Sequence, residues 1–322
     1  MTELRFRKML PLQFLYTFRD LMRDEGIRFA ITSGMACVYY GLQQNTKDSD
    51  WIIHPDDIDR LRVLLDGKQR HVPPWRISYR GIFGAPLEKG YLAAGWTSHL
   101  SIWPEAGGPE EHVDIFGVPP RVVGSGLDAD DEGFATRETV ALMKRTDRDK
   151  DWPIVDGLGW QFAAENDFRN AVLHIQNADR LIELWENLPD KDRIPCLAVR
   201  PLLGLISAEV DPIELTGWIR LERLVWEQVN RERYGRYQRA WKEFYRNWRT
   251  TEDWIWPTAD PFRIQHQQIL EAAQKHSLPV DPFAGIDRQS LINTATSNAA
   301  KAGLTTIDNV KRVTPPTTVL LP

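Results

Sequence analysis

The chain has 322 residues, 42% of them hydrophobic and 26% charged, which is ordinary for a globular protein and enough for two modest domains or one large one. A net charge of −5 argues against a chain that is basic throughout, and no apolar run approaches the roughly 18 residues that a membrane span needs. The opening MTELRFRKMLPLQF lacks the apolar stretch and small-residue cleavage site of a leader, so a cytoplasmic protein with no membrane partner is expected.

Residues 12–25 place Phe14, Leu15, Phe18, Leu21 and Met22 on one helical face, and Gly26 suits the position just past a helix end. Arg28 to Thr32 predicts a short strand, and Ser33-Gly34 opens a helix that runs through Tyr40 to Gly41. Residues 47–53, KDSDWII, predict the next strand; Pro55 then starts a helix with Ile58, Leu61, Leu64 and Leu65 on one face. A strand is expected within 76–83. Residues 97–103 and 111–118 predict a hairpin about the turn-rich PEAGGPEE, and helices follow near 137–146 and 150–158. From residue 160 onward long helical segments dominate and hold 8 of the 13 tryptophans, which suggests a separate helical domain. The expected fold class is α+β, a mixed twisted sheet with flanking helices over 1–158, then a mainly helical domain over 159–283. Residues 284–322, poor in aromatics and ending in VTPPTTVLLP, are expected to be an extended or disordered tail.

Cys37 and Cys196 are the only cysteines, too few for a cysteine-based zinc site and suited to a reducing compartment. Cys37 lies in an apolar stretch and reads as a small core residue. The chemistry concentrates elsewhere. A strand ending in Ser33-Gly34 at the start of a helix offers unpaired backbone N–H groups to a phosphate, although such a junction often merely turns the chain. On the next strand, alternation puts Asp48 and Asp50 on one face, with Ser49 and Trp51 on the other. Two close carboxylates repel unless a cation lies between them, and oxygen-only ligands point to Mg²⁺ or Mn²⁺; a polar strand end is the plainer alternative. Asp114, between Val113 and Ile115 on a core strand, is costly without a partner, and metal ligation would supply one. His112, two residues away on the same face, is read as a surface or hydrogen-bonded histidine rather than a ligand.

The stretch Ser33-Gly34-Met35-Ala36, followed by Tyr40-Gly41-Leu42-Gln43-Gln44-Asn45-Thr46-Lys47-Asp48-Ser49-Asp50-Trp51, resembles the minimal nucleotidyltransferases related to the AbiE-type (AbiEii) abortive-infection toxins. Their pattern runs G-G-x-A, then H-G-x-x-R-x-T-x-D-I-D-L; Gly34, Ala36, Gly41, Thr46, Asp48 and Asp50 match in register. Thr139 to Lys144, followed by Arg148-Asp149-Lys150-Asp151, is similar to that family's later M-K and R-x-K-D segment. The likeness covers residues 26–158. Ser33, Tyr40, Gln44, Ser49 and Trp51 depart from the pattern.

The resemblance implies a nucleotidyltransferase fold in which Asp48, Asp50 and Asp114 hold Mg²⁺ or Mn²⁺ and carry catalysis. It also implies a nucleoside triphosphate held by the backbone of Ser33 and Gly34. Lys144 is the first candidate for a cation on the triphosphate, with Arg148 and Lys150 next. An acceptor hydroxyl, its proton taken in part by Asp114, would receive a nucleoside monophosphate and pyrophosphate would leave. Toxins of this family modify tRNA ends, so RNA, tRNA first, is the acceptor to test, and an antitoxin is the partner protein to look for. Two alternatives stay open: a catalytically silent nucleotidyltransferase-like protein that binds RNA or a partner, and a small-molecule adenylyltransferase.

Residues 231–249 hold seven Arg or Lys against two Glu, a local excess of five positive charges. At helical spacing, Tyr237, Trp241, Phe244, Tyr245 and Trp248 form an aromatic stripe beside Arg236, Arg239, Lys242, Arg246 and Arg249. The aromatic stripe predicts a packing face. The basic stripe is either its wet edge or an RNA-backbone contact made through Arg236, Arg239, Arg246 and Arg249.

Overall fold

A computed structural model describes residues 10–67, 75–104, 109–207, 209–252, 254–258 and 261–322, with side chains described from residue 13 onward. The protein is α+β and 57% helical. Its contacts divide the chain into two compact units. The first unit holds residues 1–119, 125–136 and 236–282; the second holds 120–124, 137–235 and 283–322.

The first unit is built on a five-stranded sheet: β1 (Phe29–Thr32), β2 (Asp48–Ile53), β3 (Arg76–Tyr79), β4 (Thr97–Trp103) and β5 (Glu111–Phe116), in the order β1-β2-β5-β4-β3. The β2/β5 pair is parallel and every other pair antiparallel, so the sheet is mixed and open. The expected hairpin over 97–118 is the β4/β5 pair. Alternation decides the two faces. Trp51, Val113, Ile115, Leu100 and Ile77 point to the core, where the amphipathic helix Leu10–Asp24 meets them through Phe14, Leu15, Phe18 and Met22. Phe18 packs edge-on against Trp51 with ring centres 5.0 Å apart. Ser49 is buried on the same face without penalty, because it accepts from Trp51 Nε1 and donates to the His112 carbonyl.

Edge strand β3 would expose unpaired backbone groups. Gln265, on the helix Phe262–Lys275, covers them by donating to the Ile77 carbonyl at 2.8 Å and accepting from the Tyr79 N–H at 3.3 Å. The aromatic stripe packs in this unit, as its spacing predicts: Tyr237, Phe244 and Trp248 are buried, and Tyr237 donates to the Ala94 carbonyl. Trp256 packs likewise, donating to the Tyr79 carbonyl at 3.0 Å.

The second unit is all helical among its described residues. Its core gathers Trp152, Val155, Phe162, Leu181, Leu203, Val225 and Trp226. A buried Arg200–Glu222 pair crosses it, with Arg200 also donating to the carbonyls of Val172 and Ile175. The segment 284–322, expected to be extended or disordered, instead forms the helices Arg288–Ala302, Ile307–Val313 and Thr317–Leu320. Asp287 caps the first by accepting from the N–H groups of Gln289 and Ser290. Its buried face is Leu291, Ile292, Ala295, Ala299 and Ala300. Small residues let it pack closely without the large aromatics that mark the other helices. No helix among the described residues is long and apolar enough to cross a membrane.

Candidate active site

The sheet face opposite the core carries a grid of polar side chains. Cross-strand register sets Asp48 beside His112, and His112 beside Ser101; one step along, Asp50 stands beside Asp114, and Asp114 beside His99. The two-residue period of each strand and the parallel β2/β5 ladder bring the three carboxylates expected from sequence onto one face. Each flanking carboxylate is held by an imidazole. His99 Nδ1 donates to Asp114 Oδ1 at 2.6 Å, and His112 Nδ1 to Asp48 Oδ1 at 2.9 Å. His112 Nε2 also lies 3.3 Å from Glu110 Oε1. The Ser101 hydroxyl donates to Glu110 and, against the pull of burial, helps His112 and Arg80 keep that carboxyl below its ordinary range. Arg80 brings a guanidinium nitrogen 3.9 Å from Asp48 Oδ1 and 3.7 Å from Asp114 Oδ1.

The loop before β2 explains the glycine and threonine of the motif. A Cβ on Gly34 would stand 2.9 Å from Thr46 Cβ and nearer still to its hydroxyl, so only glycine fits against Thr46. Gln43 donates to the Gly34 carbonyl at 2.7 Å, and Thr46 donates to the Asp48 carbonyl at 3.2 Å. Ser33, at the strand-to-helix junction, has φ of 51°, a left-handed conformation that a glycine would adopt without strain. Tyr40, in the place of the pattern's histidine, is structural: its hydroxyl donates to the Ala135 carbonyl at 2.7 Å. Gln44 is exposed.

Lys144, Arg148 and Lys150 belong to the second unit. Lys144 is buried and lies 3.5 Å from Asp151, which also accepts from Arg148 Nε at 2.7 Å and the Thr146 hydroxyl at 2.6 Å. Burial alone would raise the Asp151 carboxyl; Lys144, Thr146 and Arg148 outweigh it and hold that carboxyl below the ordinary range. This segment therefore forms an ion-pair knot at the start of the helix Trp152–Ala164, with Lys150 exposed at its rim. In the first unit Arg239, Lys242, Arg246 and Arg249 are exposed and Arg236 is half-buried.

Sequence reading missed Arg80 and His99 and set His112 aside. His99 stands opposite Asp114 through the antiparallel β4/β5 register, which the sequence pattern of the two strands leaves open. The reach of Arg80 to Asp48 and Asp114 depends on β3 lying beside β4. Among the described residues no three His, Cys, Asp or Glu side chains are close enough, as they stand, to hold a metal ion. The donor chemistry nevertheless fits one: three oxygen-only carboxylates share a face, and a cationic guanidinium already lies against two of them. The chain matches no protein-family model, no curated protein and no solved structure.

Proposed function

We propose that this chain is a metal-dependent nucleotidyltransferase of the nucleotidyltransferase fold, moving a nucleoside monophosphate from a nucleoside triphosphate to an acceptor hydroxyl. The carrying observation is the register that aligns Asp48, Asp50 and Asp114 on one sheet face. These carboxylates would hold Mg²⁺ or Mn²⁺, which when bound offsets the charge of the phosphates during an in-line displacement. The acceptor oxygen attacks the α-phosphorus, the bond to the bridging oxygen breaks, and pyrophosphate departs. Asp114 takes the acceptor proton, while Ser33 and Gly34 line the junction through which the triphosphate is held. Arg80, already among the carboxylates, is suited to turn its planar fork onto a phosphate oxygen. Exposed Arg239, Arg246 and Arg249, with Arg236, support an RNA acceptor held by its backbone.

A second reading, a silent binding protein, draws on Arg80: a guanidinium beside Asp48 and Asp114 offsets part of the cluster's charge without any metal. One experiment separates the two. The protein is incubated with Mg²⁺ or Mn²⁺, each α-labelled nucleoside triphosphate and total RNA or lysate. Label in an acceptor, absent with Asp48→Asn, supports the transferase; RNA retention with no transfer from any triphosphate supports the silent protein.

A further inference from the structure

We propose that His99 is a positioning residue for Asp114: its imidazole fixes the orientation of that carboxylate and thereby sets the metal affinity of the cluster. This rests on the metal-dependent reading above. An ionised carboxylate only accepts hydrogen bonds, so at 2.6 Å the Nδ1 of His99 must carry the proton that joins it to Asp114 Oδ1. That bond engages one carboxylate oxygen and leaves the other for a cation.

The imidazole is itself built in. The His99 main-chain carbonyl accepts from the Arg80 N–H at 3.0 Å, which ties β4 to the segment after β3. The ring's Cδ2 edge lies where a Cβ on Gly84 would come within 2.8 Å, so Gly84 is the residue that leaves room for the ring. His99 also lines a pocket shared with Tyr79, Arg80, Trp241 and Trp256. The side chain is only 15% exposed, against 31% for His112 on Asp48, so His99 is the better fixed of the two imidazoles. A ring seated against Gly84 and bonded to one oxygen does for the carboxylate what outer-shell partners do in metal sites, where they orient the ligands and raise their affinity.

The test uses the full chain with Mn²⁺ alone, free ion being counted by electron paramagnetic resonance in the absence of nucleotide. The side-chain nitrogen of asparagine sits as many bonds from the backbone as Nδ1, and that of glutamine as many as Nε2. His99→Ala and His99→Gln should weaken Mn²⁺ binding about ten- to a hundredfold, while His99→Asn stays within about threefold of wild type. A purely structural bond would not make Asn and Gln differ in Mn²⁺ affinity at matched melting temperature. Should the alanine variant fail to fold, the Asn–Gln contrast carries the same decision. Equal Mn²⁺ affinity in wild type and His99→Ala, or in the Asn and Gln variants, overturns the positioning role alone. Absence from wild type of any Mn²⁺ site that Asp48→Asn removes overturns the metal-dependent reading, and the positioning role with it.

Discussion

A single methyl group at Gly34 would strike the scaffold of the site rather than its chemistry. The new Cβ of Gly34→Ala would lie 2.9 Å from Thr46 Cβ, and closer to the hydroxyl, whereas carbon atoms rest at about 3.5–4.0 Å. Thr46 cannot retreat freely, because its hydroxyl is bonded to the carbonyl of Asp48 two residues on. Overpacking of this kind costs about 1–3 kcal/mol, and alanine recovers up to about 1 kcal/mol over glycine in a helix. The expected net loss is therefore about 1–2 kcal/mol. Urea unfolding of wild type, Gly34→Ala, Thr46→Ala and the double variant measures it. Thr46→Ala deletes the nearest clashing atom, so the methyl should cost about 1 kcal/mol less in that background. Transfer activity of Gly34→Ala should fall further than its stability, since any shift of Thr46 carries Asp48 with it. A Gly34→Ala protein as stable as wild type, or a methyl cost identical in both backgrounds, would refute the reasoning.

Asp48→Asn should abolish transfer and leave stability within about 0.5 kcal/mol, because a lost contact with His112 and Arg80 is offset by relief of carboxylate repulsion; a large fall in melting temperature would mark a structural carboxylate instead. His266 gives the first unit an acid limit. Burial, then Arg62, pushes its imidazole down to about 4, and Arg62, a donor only, requires Nε2 to stay unprotonated. The unfolded chain takes that proton below about 6.5 and the folded one refuses it, so on the order of 3 kcal/mol should be lost as pH falls from about 6.5 to about 4. Chemical unfolding across that range checks this, and His266→Gln should flatten the loss. Charge reversal at Arg246 and Arg249 should weaken RNA retention, more at low salt than at high, and leave triphosphate binding unchanged. Filter binding at two salt concentrations decides it, with equal affinity in both proteins ending the RNA role of the stripe.

The parts of the fold legible from sequence are those where a local period speaks. Asp48-Ser49-Asp50-Trp51 alternates cleanly, and β2 buries Ser49 and Trp51 while keeping both carboxylates outward. The 237–248 stripe repeats aromatics at helical spacing, and the structure buries Tyr237, Phe244 and Trp248. Legibility ended where partners come from afar. Nothing near residue 80 announces that Arg80 reaches Asp48 and Asp114, since that depends on strand order. Nothing near Leu291 or Ala299 stands out, since a helix faced with alanine lacks the bulk that advertises a core. The units interleave because residues 236–282 rejoin the sheet late, a tertiary choice that composition does not carry.

The alternation of β2 has a further consequence. Over its first four residues core and chemistry are encoded with opposite parity, Asp48 and Asp50 even, Ser49 and Trp51 odd. A one-residue slip in its pairing register would turn both carboxylates into the apolar interior and Trp51 away from it. Substitutions can therefore separate the strand's two duties position by position, but a slip in register cannot.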